Sequence, residues 1–282
     1  AIDDYDFKNI DIAFFSAGSS VSRVYAPIAA QAGAVIIDNT SEFRYVDDIP
    51  LVVPEVNPLD IEKHVKTNII ANPNCSTIQM LVALKPIHER YKILDINVCT
   101  YQAVSGSGKK GVDELLEQSY SYLNQQDIKA SVYPKQIAFN VIPFVDSFCE
   151  NGYTKEEMKM VWETQKILSK DITVNATAVR VPVLIGHSES ITIETESPID
   201  IKDVISDFKD SEGIELIDNP DNDEYPTAFI NGHGTDKVYV GRVRKSLNSD
   251  NILNIWVVAD NVRKGAALNS VQIAEELTKG AK

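Results

Sequence analysis

Residues 68–80, NIIANPNCSTIQM, constrain this chain more than any other stretch of similar length. Ile69, Ile70 and Ala71 read as the end of a buried strand, and Pro73 with Asn74 bends the backbone. From Ser76 to Tyr91 the apolar residues Ile78, Leu81 and Val82 then recur at helical spacing. A strand that turns directly into a helix leaves Cys75 at the helix mouth, beside backbone N–H groups and the positive end of the helix dipole. The thiolate is favoured there, and the thiol pKa is expected to fall from ~8.5 into a range of roughly 3.5–7.5. The plainer alternative is a buried structural cysteine, against which the polar neighbours Asn74, Ser76 and Thr77 argue.

The flanking sequence places this turn in a layered fold. DIAFFSAG (11–18) reads as a strand ending in small residues, 19–33 as a helix closed at Gly33, and AVIIDNT (34–40) as a second buried strand, which together make a βαβ unit of a parallel sheet. LVVPEVN (51–57) reads as a third strand and 68–72 as a fourth. Ligands on such sheets bind beyond the carboxyl ends of the strands, here Ser16–Ser19, Asp38–Ser41, Pro54–Asn57 and Asn72–Cys75. Past Tyr91 the pattern changes. A long strand (92–105) and a helix after Gly108 precede a helix over 154–170, opened by a capping box of Thr154 and Glu157. Strands over 173–183 and 186–196 follow, the second alternating Ile191 and Ile193 with Thr192 and Glu194. A helix closed at Gly213 and two strands, 236–247 and 251–260, complete an antiparallel α+β half. A last helix carries Leu268, Val271, Ala274 and Leu277 on one stripe.

Composition excludes several classes of function. The 282 residues are 44% hydrophobic and 24% charged, ordinary for a soluble globular protein, and no apolar run approaches the ~18 residues of a membrane span. Three cysteines without regular spacing suit a reducing cytoplasm and form no metal pattern. A net charge of −14 repels nucleic acid and anionic membrane, so an anionic ligand must be held by a few local cations.

Several residues are candidates for such chemistry. Gly106, Gly108 and Gly111 satisfy G-x-G-x-x-G, but the strand before them lies in the antiparallel half. A tight loop that brings backbone close to a ligand is therefore preferred to a dinucleotide fingerprint. His187, flanked by Gly186 and Ser188, could serve a cysteine nucleophile as a base with pKa near neutrality, or could be structural. Arg180, between Val179 and Val181, needs a carboxylate partner if buried, either a substrate's or a structural one. Glu156 and Lys159 at i,i+3 read as a solvated ion pair, and Arg44 follows a strand end.

Taken together and in order, NPNCST, YQAVSGSGKKG, FNVIPFVD, RVPVLIGHSE and DNVRKGAALNSVQIAE resemble the motifs of the aspartate-semialdehyde dehydrogenases, from about Phe7 to Lys279. The resemblance implies Cys75 as nucleophile, His187 as acid/base and Gln102 as the residue that orients the substrate. It implies Arg180 for the substrate carboxylate, Glu156 for its amino group, and Arg44, Asn74 and Lys159 for phosphate. It further implies NADP held near Ser16, Ala17, Gly18, Ser41, Ser105, Gly106 and Asn261, no metal, and a homodimer. The implied organisation is a Rossmann-like parallel sheet over 1–74, shortened at its N-terminus, and an α+β catalytic and dimerisation domain over 75–260. A C-terminal helix, 261–282, returns to the first domain.

Other readings are a relative of N-acetyl-γ-glutamyl-phosphate reductase, an inactive remnant kept for oligomerisation, and a Cys/His hydrolase. The aspartate-semialdehyde dehydrogenases that the chain resembles carry a glycine-rich G-x-T-G-x-x-G turn after their first strand, and it is absent from these 282 residues. Weak NADP binding is therefore expected of this polypeptide taken by itself. Alkylation of Cys75 should proceed unprotected at micromolar NADP, and protection at that concentration would refute the expectation.

Overall fold

The computed structural model describes residues 2–279; position 1 and positions 280–282 of the first and last expected segments lie outside the described residues. β1 (Ile12–Phe15), α1 (Ser19–Gln31), β2 (Val35–Asp38) and β3 (Ile69–Ala71) open the chain, and the three strands form a parallel sheet in the order β1-β2-β3. Ala26, Ala29 and Ala30 are the buried face of α1, small enough for the helix to lie close to the sheet. The expected strand over 51–57 is reduced to one parallel bridge, Leu51 to Ala71. Pro54 has no N–H for a ladder, and the Asn57 side chain takes the neighbouring partners instead, accepting from Val53 N–H at 2.9 Å and donating to Leu51 C=O at 2.9 Å.

The second layer contains α2 (Cys75–Tyr91), β4 (Ile93–Gln102), α3 (Lys109–Leu123), α4 (Lys155–Ile167), β5 (Thr173–Arg180) and β6 (His187–Thr195). α5 (Ile201–Asp210), β7 (Ile214–Leu216), β8 (Val238–Lys245) and β9 (Ile252–Ala259) complete it, before the closing α6 (Leu268–Thr278). Its six strands run β5-β4-β6-β9-β8-β7. The sheet is mixed, not antiparallel throughout: β4–β5 and β7–β8 are parallel, because a helix or a helical crossover lies between the strands of each pair. One face packs on α2, which is buried from Ser76 through Leu84.

Register determines where chemistry can occur. Gln102 at the end of β4 lies opposite Arg180 at the end of β5, and His187 at the start of antiparallel β6 lies opposite Ala259 at the end of β9. Four strand ends therefore meet at one edge of the sheet, and the first residue of α2, Cys75, belongs to the helix that covers it.

α6 packs Ile273, with Ala274 and Leu277, onto Ile37, Val52 and Ile70 of the first layer. The expected stripe is rotated: Val271 is exposed, and Asn269 and Ser270 face inward with Ile273. The reason is polar. Asn269 Nδ2 donates to Val52 C=O (3.0 Å) and Asn72 Oδ1 (2.7 Å), and Ser270 Oγ to Asn39 Oδ1 (2.8 Å), satisfying strand-end groups that an apolar stripe would strand. Fully buried Lys264, just before α6, spends its three protons on Glu55 (2.7 Å), Asn269 (3.0 Å) and Gln272 (2.7 Å). Lys264→Met leaves the largely buried Glu55 carboxylate with Gln272 but without its cation, and urea denaturation should show a loss of about 3 kcal/mol.

Candidate active site

Asn74 makes the turn into α2. As N-cap its Oδ1 accepts from the N–H groups of Ser76 (3.0 Å) and Thr77 (3.3 Å), and its Nδ2 donates to Glu156 Oε1 at 3.0 Å. Cys75 is thereby fixed at the first helical position. Gly265 lies directly against it: a Cβ at that position would stand 2.8 Å from Cys75 Cβ, so only glycine lets the segment before α6 close over Cys75. Gln102 Nε2 is shared among Ser76 Oγ (3.0 Å), Glu156 Oε1 (3.1 Å) and Thr100 Oγ1 (3.3 Å).

α4 supplies the opposite wall. Its Thr154/Glu157 capping box is present as expected. The Glu156–Lys159 pair, expected to be solvated, is instead drawn into the site: Glu156 is buried and bonds Lys159 at 3.0 Å, and Lys159 also reaches Asp146 at 2.8 Å. One turn on, fully buried Glu163 accepts from Arg44 Nη1 (3.1 Å) and Tyr45 OH (3.3 Å) on Oε1, and from the backbone N–H of Asn74 (2.7 Å) on Oε2.

Arg180 and His187 close the third side. Arg180 Nη1 donates to Ala103 C=O at 2.7 Å, its guanidinium lies 5.9 Å from the Tyr133 ring centroid, and its Nε has no partner. Among the described residues no carboxylate pairs with it, so the structural salt bridge is not found. His187 Nδ1 accepts from Ala103 N–H at 3.0 Å, which leaves the ring proton on Nε2, itself without a partner. The glycine loop approaches both, as its sequence suggested: a Cβ on Gly106 would be 2.8 Å from Arg180 Nη1 and 3.4 Å from the imidazole. Asn261 Oδ1 accepts from Ser105 Oγ (3.0 Å) and Gly186 N–H (2.9 Å) at the same edge. Ser16, Ala17, Gly18 and Ser41 sit apart from this cluster. Gly18, at φ 102°, caps α1, Ser16 and Ala17 line an apolar recess of about 350 Å3, and Ser41 lies 3.4 Å from Ser19.

Comparison with known proteins decides the family. Residues 1–64 match the model for the semialdehyde dehydrogenase NAD binding domain, and residues 84–264 match the model for the semialdehyde dehydrogenase dimerisation domain. Aspartate-semialdehyde dehydrogenase from Shewanella sp. strain DB6705 is 60% identical over 279 residues, spanning 99% of this chain and 82% of that protein. The chain belongs to the aspartate-semialdehyde dehydrogenase family. Aspartate semialdehyde dehydrogenase II from Vibrio cholerae, solved complexed with ASA, superposes with a TM-score of 0.96 at 55% identity, over 98% of this chain and 82% of that one. The Candida albicans enzyme solved with NADP gives a TM-score of 0.73 at 25% identity, over 95% and 77%. Membership in the family makes the chain an oxidoreductase of amino-acid biosynthesis with a nicotinamide-binding domain and a dimerisation domain.

Electrostatics corrects two expectations for this aspartate-semialdehyde dehydrogenase family member. Burial pushes the Cys75 thiol up to about 12, with the Glu156 carboxylate adding to the rise; Arg180, Lys159 and Arg44 oppose it without prevailing. The helix mouth alone does not give a thiolate. Burial, and then Arg180, hold His187 down to about 3, so the imidazole is a neutral Nε2–H donor in the resting site and not a base poised near neutrality. Burial opposes ionisation of Glu156 as well, but Lys159, Asn74 and Gln102 outweigh it and hold the carboxyl at about 2.

Glu163, Tyr45, Gly265 and Lys166 were not singled out from sequence. Only the spacing Glu156, Lys159, Glu163, Lys166 along one helix face could have signalled two of them. Removing the charge that most opposes the thiolate should favour it: Glu156→Gln is expected to lower the pH midpoint for iodoacetamide alkylation of Cys75. An unchanged or raised midpoint would contradict the assignment of Glu156 as that charge.

Proposed function

We propose that the chain reduces L-aspartyl 4-phosphate to L-aspartate 4-semialdehyde and phosphate, reversibly, with NADP as its nicotinamide cofactor, in the route to lysine, methionine, threonine and isoleucine. The observation that carries the reading is Arg180: a buried guanidinium with no carboxylate partner, on the same site as the buried Glu156 carboxylate. A guanidinium and a carboxylate on one site complement an α-amino acid, the first for its carboxylate and the second for its ammonium. An N-acetylated substrate has no ammonium for Glu156, which disfavours the γ-glutamyl analogue. Arg44 and Lys159 supply positive charge for the phosphoryl group, with Asn74 between them through Glu163 and Glu156.

Ammonium binding at Glu156 neutralises the charge that raises the Cys75 pKa, so the substrate itself helps to generate the thiolate. Cys75 Sγ then bonds to the C4 carbonyl carbon, the bond from that carbon to the phosphate oxygen breaks, and phosphate leaves a cysteine thioester. His187 Nε2–H donates a hydrogen bond to the C4 oxygen as negative charge develops there; full proton transfer through the ring requires the Ala103 N–H contact at Nδ1 to lengthen. Gln102 keeps Glu156 and Ser76 in place at the cysteine.

The residues at the sheet edge fit a nicotinamide. Gly106 allows close backbone approach, and with Asn261 Oδ1 committed to Ser105 and Gly186, the Asn261 amide nitrogen is the group left to meet a carboxamide. A reduced nicotinamide held there would supply the hydride to the thioester carbonyl, after which the C–S bond breaks to give the aldehyde and return the Cys75 thiolate. Ser16, Ala17, Gly18 and Ser41 would serve the nucleotide's remote end. Residues 1–74 act as the nucleotide domain, 75–260 as the catalytic and dimerisation domain, and 261–282 as the segment closing the first. The working form is a cytoplasmic homodimer, in keeping with the dimerisation-domain match; no described helix is long and apolar enough to cross a membrane.

The test is NADP reduction that requires both aspartate semialdehyde and phosphate. Cys75→Ser should abolish it, and mass spectrometry of the wild-type chain mixed with aspartyl phosphate should show one acyl adduct, on Cys75. Turnover without phosphate, or an adduct elsewhere, would refute the reading.

A further inference from the structure

We infer that Glu163 and Lys166 are positioning residues that hold Arg44 as an anion receptor, and that Glu163 also ties this receptor to the nucleophile's turn. The inference rests on the reading of Arg44 as a phosphate ligand. Arg44 lies in a stretch, 39–50, without helix or strand, so no ladder fixes its backbone. What fixes it is α4.

Lys166 Nζ donates to three carbonyls of that stretch, Arg44 (2.9 Å), Val46 (2.7 Å) and Ile49 (2.8 Å), which uses all three of its protons. One turn earlier, Glu163 Oε1 grips the Arg44 guanidinium at 3.1 Å, while Arg44 Nε and Nη2 fold back onto Thr40 C=O (3.1 Å) and Asn39 C=O (3.0 Å). The same arginine is thus clamped at its carbonyl by one α4 residue and at its side chain by another. Three of its five N–H groups are spent, and one on each terminal nitrogen remains for an oxyanion.

The second carboxylate oxygen of Glu163 faces away from Arg44 and accepts the N–H of Asn74, immediately before Cys75, at 2.7 Å. A phosphate on the two free N–H groups of Arg44 shares the guanidinium with Glu163, and any shift of the carboxylate is felt by the turn that carries the sulfur. Lys166 has no such second contact, so the two residues make separable predictions.

The experiment titrates inorganic phosphate calorimetrically into the full chain, with iodoacetamide alkylation of Cys75 and thermal unfolding measured on the same samples. Lys166→Met should raise the phosphate Kd about tenfold and leave the alkylation rate unchanged; Glu163→Gln should raise the Kd by a similar factor and also alter the alkylation rate severalfold. A merely structural role would lower the Tm of each variant while leaving the Kd where it was, and that result overturns the inference if Arg44→Gln does weaken phosphate binding. Arg44→Gln without effect on the phosphate Kd removes the reading beneath it instead. Should Glu163→Gln fail to fold, the Kd of Lys166→Met decides the matter alone.

Discussion

The structure depends on the cap that Asn74 places on α2. Its side chain ends the strand-to-helix turn by satisfying two amides of the first helical turn, and its other end bonds Glu156 on α4. Its backbone N–H bonds Glu163 on the same helix. One residue therefore fixes the helix start, the position of Cys75 and the distance between α2 and α4. An unsatisfied buried carboxylate or amide costs of order 1–3 kcal/mol, more when charged, so these contacts reinforce one another and the turn has little freedom to relax. Replacing Asn74 by Asp would keep the cap and bring a second negative charge to Glu156, which is why the amide suits both jobs.

The buried charges around that turn form an incomplete set. Lys159 is matched by Glu156 and Asp146, and Arg44 by Glu163, while Arg180 has only a carbonyl and an aromatic face. Burying an unpaired guanidinium is expensive, and a fold that keeps one at 6% exposure holds a place for an anion. The protonated Cys75 and neutral His187 belong to the same incomplete state. Both are shifted first by burial and then by a charge, Glu156 for the thiol and Arg180 for the imidazole, that the proposed substrate would neutralise.

Much of this was legible in the sequence because it is carried by local pattern. The Pro-Asn-Cys turn, the Thr154/Glu157 box and the glycine loop at 106–111 each announce themselves within a few residues. What was not legible depends on partners far along the chain. Nothing local to 51–57 says that Asn57 will take up the strand's hydrogen bonds, and nothing local to 268–277 says that Asn269 and Ser270 turn inward to meet Val52, Asn72 and Asn39. The Cys75 pKa failed for the same reason. A helix dipole can be read from sequence, whereas the burial that overrides it, and the carboxylate 81 residues away that adds to it, come only with the packed fold.

The two arginines of the site show why residue type alone could not separate structure from function. Arg180 was read from sequence as a cation in need of a partner, and Arg44 only as a residue following a strand end. Arg44 finds a buried carboxylate whose other oxygen is already committed to Asn74, so its pairing builds the turn and any ligand must share it. Arg180 finds none: its Nε has no partner, and its Nη1 lies against Gly106, which also approaches the imidazole of His187. An anion reaching Arg180 meets a charge with no carboxylate competitor, whereas one reaching Arg44 meets a guanidinium already shared with Glu163. In the proposed reaction the substrate's carboxylate would meet the unshared cation, and the phosphoryl group, which leaves, the shared one.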